Sequence, residues 1–235
     1  MKNHHRIANI LYLWILSILG FIAILPSVNK LFLGNIDSMP STSLIMAQAI
    51  ITTGIYATIG SLLAPKVGFN PPIISYILNK QKINPPIKKQ IYHSTIIGGI
   101  GSVLMFFGSA EFATYINQFS ITSRIIGAGL YEELMARWFL MTFLIWLFWF
   151  IFNRKSPYPN NIIIWLGLII SNLFFIVGHY PGVSMSISDN ISILNMFFWM
   201  FIITLPWGWL FWKYGIESAI IAHSAFHVFF ILLQL

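Results

Sequence analysis

The chain has no cysteine, and only 8% of its 235 residues are charged. The first absence excludes disulfides, zinc thiolates and cysteine-linked lipids. The second excludes an ordinary soluble domain, in which about 25% of residues carry charge. Soluble repeats and low-complexity segments are absent too. Acidic residues are scarcer than basic ones, six against 13, giving a net charge of +7. That excess does not form a basic stripe interleaved with aromatics, so nucleic acid is not expected as a partner.

What the chain does have is apolar surface: 57% hydrophobic residues, 17% aromatic and a mean hydropathy of +0.79. A membrane span needs about 20 mainly apolar residues. On that rule the sequence is all-α, a polytopic transmembrane helical bundle with about seven spans. They fall near 8–26, 43–64, 93–113, 124–152, 161–180, 191–212 and 214–233. Residues 1–235 then form a single integral membrane domain, with membrane lipid as a constant partner. The long 65–92 connection holds Pro71-Pro72, Pro85-Pro86 and the apolar Ile73–Leu78. A short interfacial segment is expected there. Lys2 and Arg6 precede the first run, but Pro26-Ser-Val-Asn-Lys30 offers no A-x-A-like cleavage site, so that helix is expected to be retained.

Loop charges orient the map. Ten of the 13 basic residues fall on one side: Lys2, Arg6, Lys66, Lys80, Lys82, Lys88, Lys89, Arg154, Lys155 and Lys213. The other side receives Lys30 and Arg124, and Arg137 lies inside a span. The positive-inside rule then predicts a cytoplasmic N-terminus.

Chemistry must come from the few ionisable groups within spans: Glu111, Glu132, Glu133, Arg137, His179, Glu217, His223 and His227. Each charged side chain at such depth costs about 2.5–3.5 kcal/mol on insertion scales, which marks a functional site by default. The densest cluster is Gly127-Ala-Gly-Leu-Tyr-Glu-Glu-Leu-Met-Ala-Arg137. Glu133 and Arg137 have the i, i+4 spacing of a same-face pair. Glu132 points about 100° away and is free to face another helix. His179 ends the fifth run, in Phe175-Ile-Val-Gly-His179-Tyr-Pro. His223 and His227 share a face of the last helix at i, i+4, a spacing also used by helical zinc ligands, although no H-E-x-x-H is present. Counted at 1.5 Å per residue, Glu132, His179, His223 and His227 all fall in one half of the bilayer. Carboxylates, an arginine and three histidines drawn from three helices are the ingredients for activating water. Glu111 and Glu217 lie at opposite interfaces, where snorkelling or capping is the expected role.

Glu132-Glu133-x-x-x-Arg137, Phe175-x-x-x-His179 and His223-x-x-x-His227, in that order on separate helices, resemble the CAAX protease and bacteriocin-processing (CPBP, or Abi) family of intramembrane endopeptidases. The matching region is a core of about 124–230, with Ala64-Pro-Lys-Val-Gly68 a weaker echo. The resemblance implies hydrolysis of peptide bonds in a peptide or membrane-protein substrate. Glu132 would be the general base, His179 would hold the water, and His223 and His227 would donate to the oxyanion. Glu133 and Arg137 would position the motif, and Phe175 would pack beneath the site or touch substrate. No cofactor is favoured; zinc held by Glu132, His179 and His223 is the alternative. Many members carry asparagine where this chain has His227. The compact chain looks bacterial, implying a cytoplasmic-membrane location. A non-catalytic immunity or chaperone-like binding protein on the same scaffold is the competing expectation.

Overall fold

A computed structural model describes residues 3–29 and 42–235, with side chains from Arg6 onward. The expected positions of Lys2 and Lys30 lie outside the described residues. The chain is all-helical there. It runs α1 (Asn3–Val28), α2 (Thr42–Leu63), the short α3 (Ile73–Leu78), α4 (Ile87–Gly108) and α5 (Ala110–Ile116). A π-helical stretch follows, Ser123–Glu132 and Leu134–Met141, continuous with α6 (Thr142–Phe152). Then come α7 (Asn161–Val177), α8 (Tyr180–Ser186), α9 (Asn190–Tyr214) and α10 (Ile216–Leu232).

Among the described residues, six helices are long and apolar enough to cross a membrane, and Ile216–Leu232 is a shorter apolar one. The chain is therefore a polytopic helical membrane protein. Its helices are amphipathic in the inverted sense. On α1, Ile7, Leu11, Ile15 and Leu19 face outward, while Asn9, Leu13 and Ser17 are buried. On α4, Ile91, Ile100 and Phe107 are exposed, whereas Gln90, Ser94, Gly98, Gly101 and Ser102 are inside. Lipid is as apolar as leucine, so burial of large aliphatics gains little in a membrane. Close packing of small residues and interhelical hydrogen bonds hold helices together instead.

Three elements differ from the sequence expectation. The third span begins at Ile87, not 93, because a helix starts readily after Pro86, whose missing N–H costs nothing at a helix start. It ends at Gly108, where Ser109 turns extended (φ −145°, ψ 105°). Glu111 thus sits in the first turn of α5, outside the spans. Its own backbone N–H, with the Ser109 and Ser192 hydroxyls, holds its carboxyl below the usual carboxylate range. The fourth span, Ser123–Phe152, is π-helical over its first two-thirds, which composition does not signal. At the last turn a single residue, Gly215, joins α9 to α10 with φ +109°, a conformation costly to any residue with a Cβ.

Hydrogen bonds identify the two ends of the bundle. At one end Asn9 of α1 accepts from Ser75, Asn70 donates to the Lys213 carbonyl, and the Glu217 carboxylate accepts from the Ile73 N–H at 2.7 Å. Glu217 therefore caps α3. At the other end Ser27 of α1 meets Ser123, and Asn195 of α9 donates to the Gly108 carbonyl. Two apolar cores lie between. One groups Met105, Phe112, Phe175, Met196 and Phe226; the other groups Leu13, Leu134, Trp138, Ile164 and Phe211.

The tightest crossing is α4 on α10. A Cβ on Gly98 would strike the Ala222 carbonyl oxygen and lie 2.9 Å from the Phe226 nitrogen, both backbone atoms that cannot turn aside. A Cβ on Gly99 would meet only the Phe229 ring at 3.4 Å. Gly98→Ala should therefore destabilise the protein by about 1–3 kcal/mol, while Gly99→Ala leaves the melting temperature in detergent close to wild type. Equal melting temperatures for the two variants would contradict this packing.

Candidate active site

The π helix is gripped where its glycines fall. A side chain at Gly127 would collide with Ile24 of α1, and one at Gly129 with Ser224 of α10. With α1 and α10 this close, the next turn carries Glu132, Glu133 and Arg137 into the bundle between the two apolar cores. Glu133 and Arg137 have no solvent exposure. Arg137 Nε lies 3.3 Å from Glu133 Oε2, an ion pair without the alignment of a hydrogen bond. Arg137 Nη2 donates to Asn172 Oδ1 of α7 at 3.2 Å and to the Thr204 carbonyl of α9 at 3.1 Å. Thr204 Oγ1 in turn donates to Asn172 Oδ1 at 2.7 Å. The guanidinium also stands 5.2 Å from the centroid of the Phe175 ring.

Glu133 does more than pair with Arg137. Its Oε1 accepts a hydrogen bond from His223 Nδ1 at 2.9 Å, joining α10 to the same cluster. Nothing in the sequence links residues 90 positions apart. Asn172 and Thr204 belong to no motif of the sequence, although a polar Ser171-Asn172 pair inside an apolar run is the kind of signal that flags an interior role.

Glu132 occupies the other side of the helix and is partly open, its side chain 22% exposed. Its Oε2 lies 3.7 Å from His179 Nε2 and 4.0 Å from His223 Nε2. Those distances are too long for direct hydrogen bonds and suit a shared third atom. Both histidines are fixed from behind. His179 Nδ1 donates to the Phe175 carbonyl at 2.8 Å, and His223 Nδ1 is committed to Glu133. In the neutral tautomers each Nε2 therefore presents a lone pair towards Glu132. Trp207 stacks on the His223 ring at 4.3 Å and Phe175 meets His179 edge-on at 4.7 Å, which sets both ring planes.

His227 stacks on His223 at 5.1 Å and is buried, with Nδ1 lacking a hydrogen-bond partner among the described residues. Glu132, Phe175, His179, His223 and His227 line one pocket, with about 650 Å³ of empty space including its open mouth. Phe112, Tyr115 and Phe119 form part of its wall. The structure thus brings together the four expected catalytic positions and Phe175, and puts Glu133 and Arg137 directly behind them. Arg124, counted by charge at the outer end of the fourth run, stands in the first turn of the π helix there, 7% exposed and lining the same pocket.

Among the described residues, no three His, Cys, Asp or Glu side chains have the spacing of a formed metal site. The donor set of Glu132, His179 and His223 is nevertheless of the His₂Glu kind that zinc accepts, and each histidine has the outer hydrogen bond that metal ligands characteristically make. In kind, these residues fit zinc.

The family described as type II CAAX prenyl endopeptidase, Rce1-like, matches residues 96–229, more than half of the chain. No curated protein and no solved structure matches. The matched stretch contains every residue of the cluster just described.

Because Arg137 is fully buried, removing it leaves Glu133 as an uncompensated charge. Arg137→Ala should cost about 3–5 kcal/mol, read as a large fall in the detergent melting temperature. A variant as stable as wild type would show that the network contributes little.

Proposed function

The chain belongs to the Rce1-like family of type II CAAX prenyl endopeptidases, and from that premise we propose that it is an intramembrane endopeptidase in which Glu132 activates water. The observation that carries this reading is the convergence of Glu132 Oε2 with two histidine Nε2 atoms at 3.7 and 4.0 Å, each histidine locked through its other nitrogen.

In the proposed reaction a water held between Glu132, His179 and His223 attacks the scissile carbonyl carbon. Glu132 takes one proton from that water as general base. The carbonyl oxygen becomes an oxyanion, stabilised by donation from His227, whose Nδ1 is otherwise partnerless. Glu132 then gives its proton to the leaving amine as the carbon–nitrogen bond breaks. His223 has its Nδ1–H on Glu133, so it donates from Nε2 only as an imidazolium. The Glu133 carboxylate holds the Nδ1–H side of the ring much as a triad aspartate orients its histidine. Glu133 and Arg137 act by orienting His223. Phe175 forms the pocket floor beneath His179.

If zinc is bound, Glu132, His179 and His223 would hold it, and it would supply Lewis acidity and a more acidic water. The substrate class is a peptide or membrane protein entering from the bilayer. The opposite end of the bundle carries Lys66, at the end of the α2 run, and Lys80, Lys82, Arg154 and Lys155 in loops. The positive-inside rule assigns that basic end to the cytoplasm, with the N-terminus, and turns the site to the other face. A bacterial cytoplasmic membrane suits this orientation.

Glu132→Gln should lower cleavage of a membrane-peptide substrate by about 10²–10⁴-fold with little change in melting temperature, since Glu132 makes no close hydrogen bond. A variant that keeps full biological function would favour a non-catalytic binding protein on this scaffold. Metal dependence is measured separately. The glutamate mechanism predicts sub-stoichiometric zinc in purified active protein and activity that survives chelator. One zinc per chain, with activity lost on chelation and restored by zinc, would establish the metal-dependent form.

A further inference from the structure

Among the described residues Arg124 is a cation without a carboxylate counter-charge. It is 93% buried, by the complement of its 7% exposure. Nη1 donates to the neutral Asn117 Oδ1 at 2.9 Å, and Nε has no partner among the described residues. Among the described residues no carboxylate pairs with it, whereas Arg137, the other arginine of this helix, has Glu133. A guanidinium keeps its proton in proteins and presents a planar fork suited to the two oxygens of a carboxylate. Leaving such a group buried and unpaired costs several kcal/mol, so its pocket is built for an anion that arrives from outside.

The surroundings say which anion. Arg124 lines the same pocket as Glu132 and His227, among Phe112, Tyr115, Ile116 and Phe119. Those walls accept apolar side chains. Eight residues along a helix separate Arg124 from Glu132, about 12 Å or less of axial rise. An extended peptide covers at most about 3.3–3.6 Å per residue, so a terminus held at Arg124 leaves the reacting bond only a few residues away. We propose that Arg124 is a specificity-determining residue that binds the free C-terminal carboxylate of the peptide, restricting the site to bonds near a chain end. This rests on the endopeptidase reading of the same pocket.

The test measures binding and cleavage separately. A dye-labelled peptide with an S-farnesyl cysteine followed by three apolar residues is prepared as the C-terminal acid and as the amide. Binding is measured to Glu132→Gln protein in phosphatidylcholine nanodiscs. The acid should bind at least about tenfold more tightly than the amide. Adding Arg124→Gln should bring that ratio close to one, and Arg124→Lys should retain part of it. Each comparison is made within a single protein, so a partial folding defect lowers both affinities and leaves the ratio readable. Equal binding of acid and amide, or an unchanged ratio in Arg124→Gln, overturns the proposal. So does an effect of Arg124→Gln seen only as lost stabilisation by added phosphatidylglycerol, which would make Arg124 a lipid-phosphate contact. Cleavage by protein with Glu132 intact separates the two readings. Equal cleavage of acid and amide refutes the anchor and leaves the protease standing, whereas preferential binding of the acid without cleavage refutes the protease and leaves the anchor.

Discussion

A guanidinium in the centre of a helical bundle needs a carboxylate beside it and acceptors for its remaining N–H groups. Glu133 supplies the first, and Asn172 and the Thr204 carbonyl supply the second. Much of the bundle core is organised around that requirement. Arg137 and Glu133 come from the π helix, Asn172 from α7, Thr204 from α9, and His223 joins them from α10. Four helices are thereby fixed in rotation as well as position, because a polar atom buried away from its partner costs more than a misplaced methyl group. The apolar cores on either side tolerate repacking better than this layer does.

The same layer explains how two adjacent carboxylates come to have different surroundings. Successive residues on a helix cannot face the same way. Glu133 is turned inward, fully buried between an arginine and a histidine, while Glu132 is turned to a pocket and remains partly exposed. The buried carboxylate restrains the ring of His223, whose far nitrogen approaches the open one. A structural ion pair and a prospective catalytic group are thus linked through one imidazole, and precision in the second depends on rigidity in the first. Phe175 reinforces the link, since its ring touches both the Arg137 guanidinium and His179, and its carbonyl accepts from His179.

Membrane packing supplies the setting. With large aliphatics facing lipid and small or polar residues turned inward, α1 and α10 approach the π helix, and α4 approaches α10, closely enough that glycines mark the contacts. The interior can therefore hold serine, asparagine, histidine and charge, which hydrocarbon would reject. At one end the bundle opens into an apolar-walled pocket, where a low dielectric strengthens every interaction with developing charge. Arg124, in the first turn of the π helix, lies in that wall.

The sequence by itself determined the all-helical membrane class, because length and hydropathy of a run decide whether it can span. It also singled out the ionisable residues, because charge within such runs is costly enough to be rare, and it separated Glu132 from the Glu133–Arg137 pair by local helix spacing alone. Helix limits were legible to a few residues, failing where Pro86 started α4 early and Ser109 ended it. Only the tertiary structure decided which groups meet: Glu133 with His223, Arg137 with Asn172 and Thr204, and Arg124 with the pocket. The pairings of Glu133 and Arg137 join residues 35 to 90 positions apart, and no local periodicity carries information across such separations. They follow from which helix faces pack together, a choice made by the whole bundle at once.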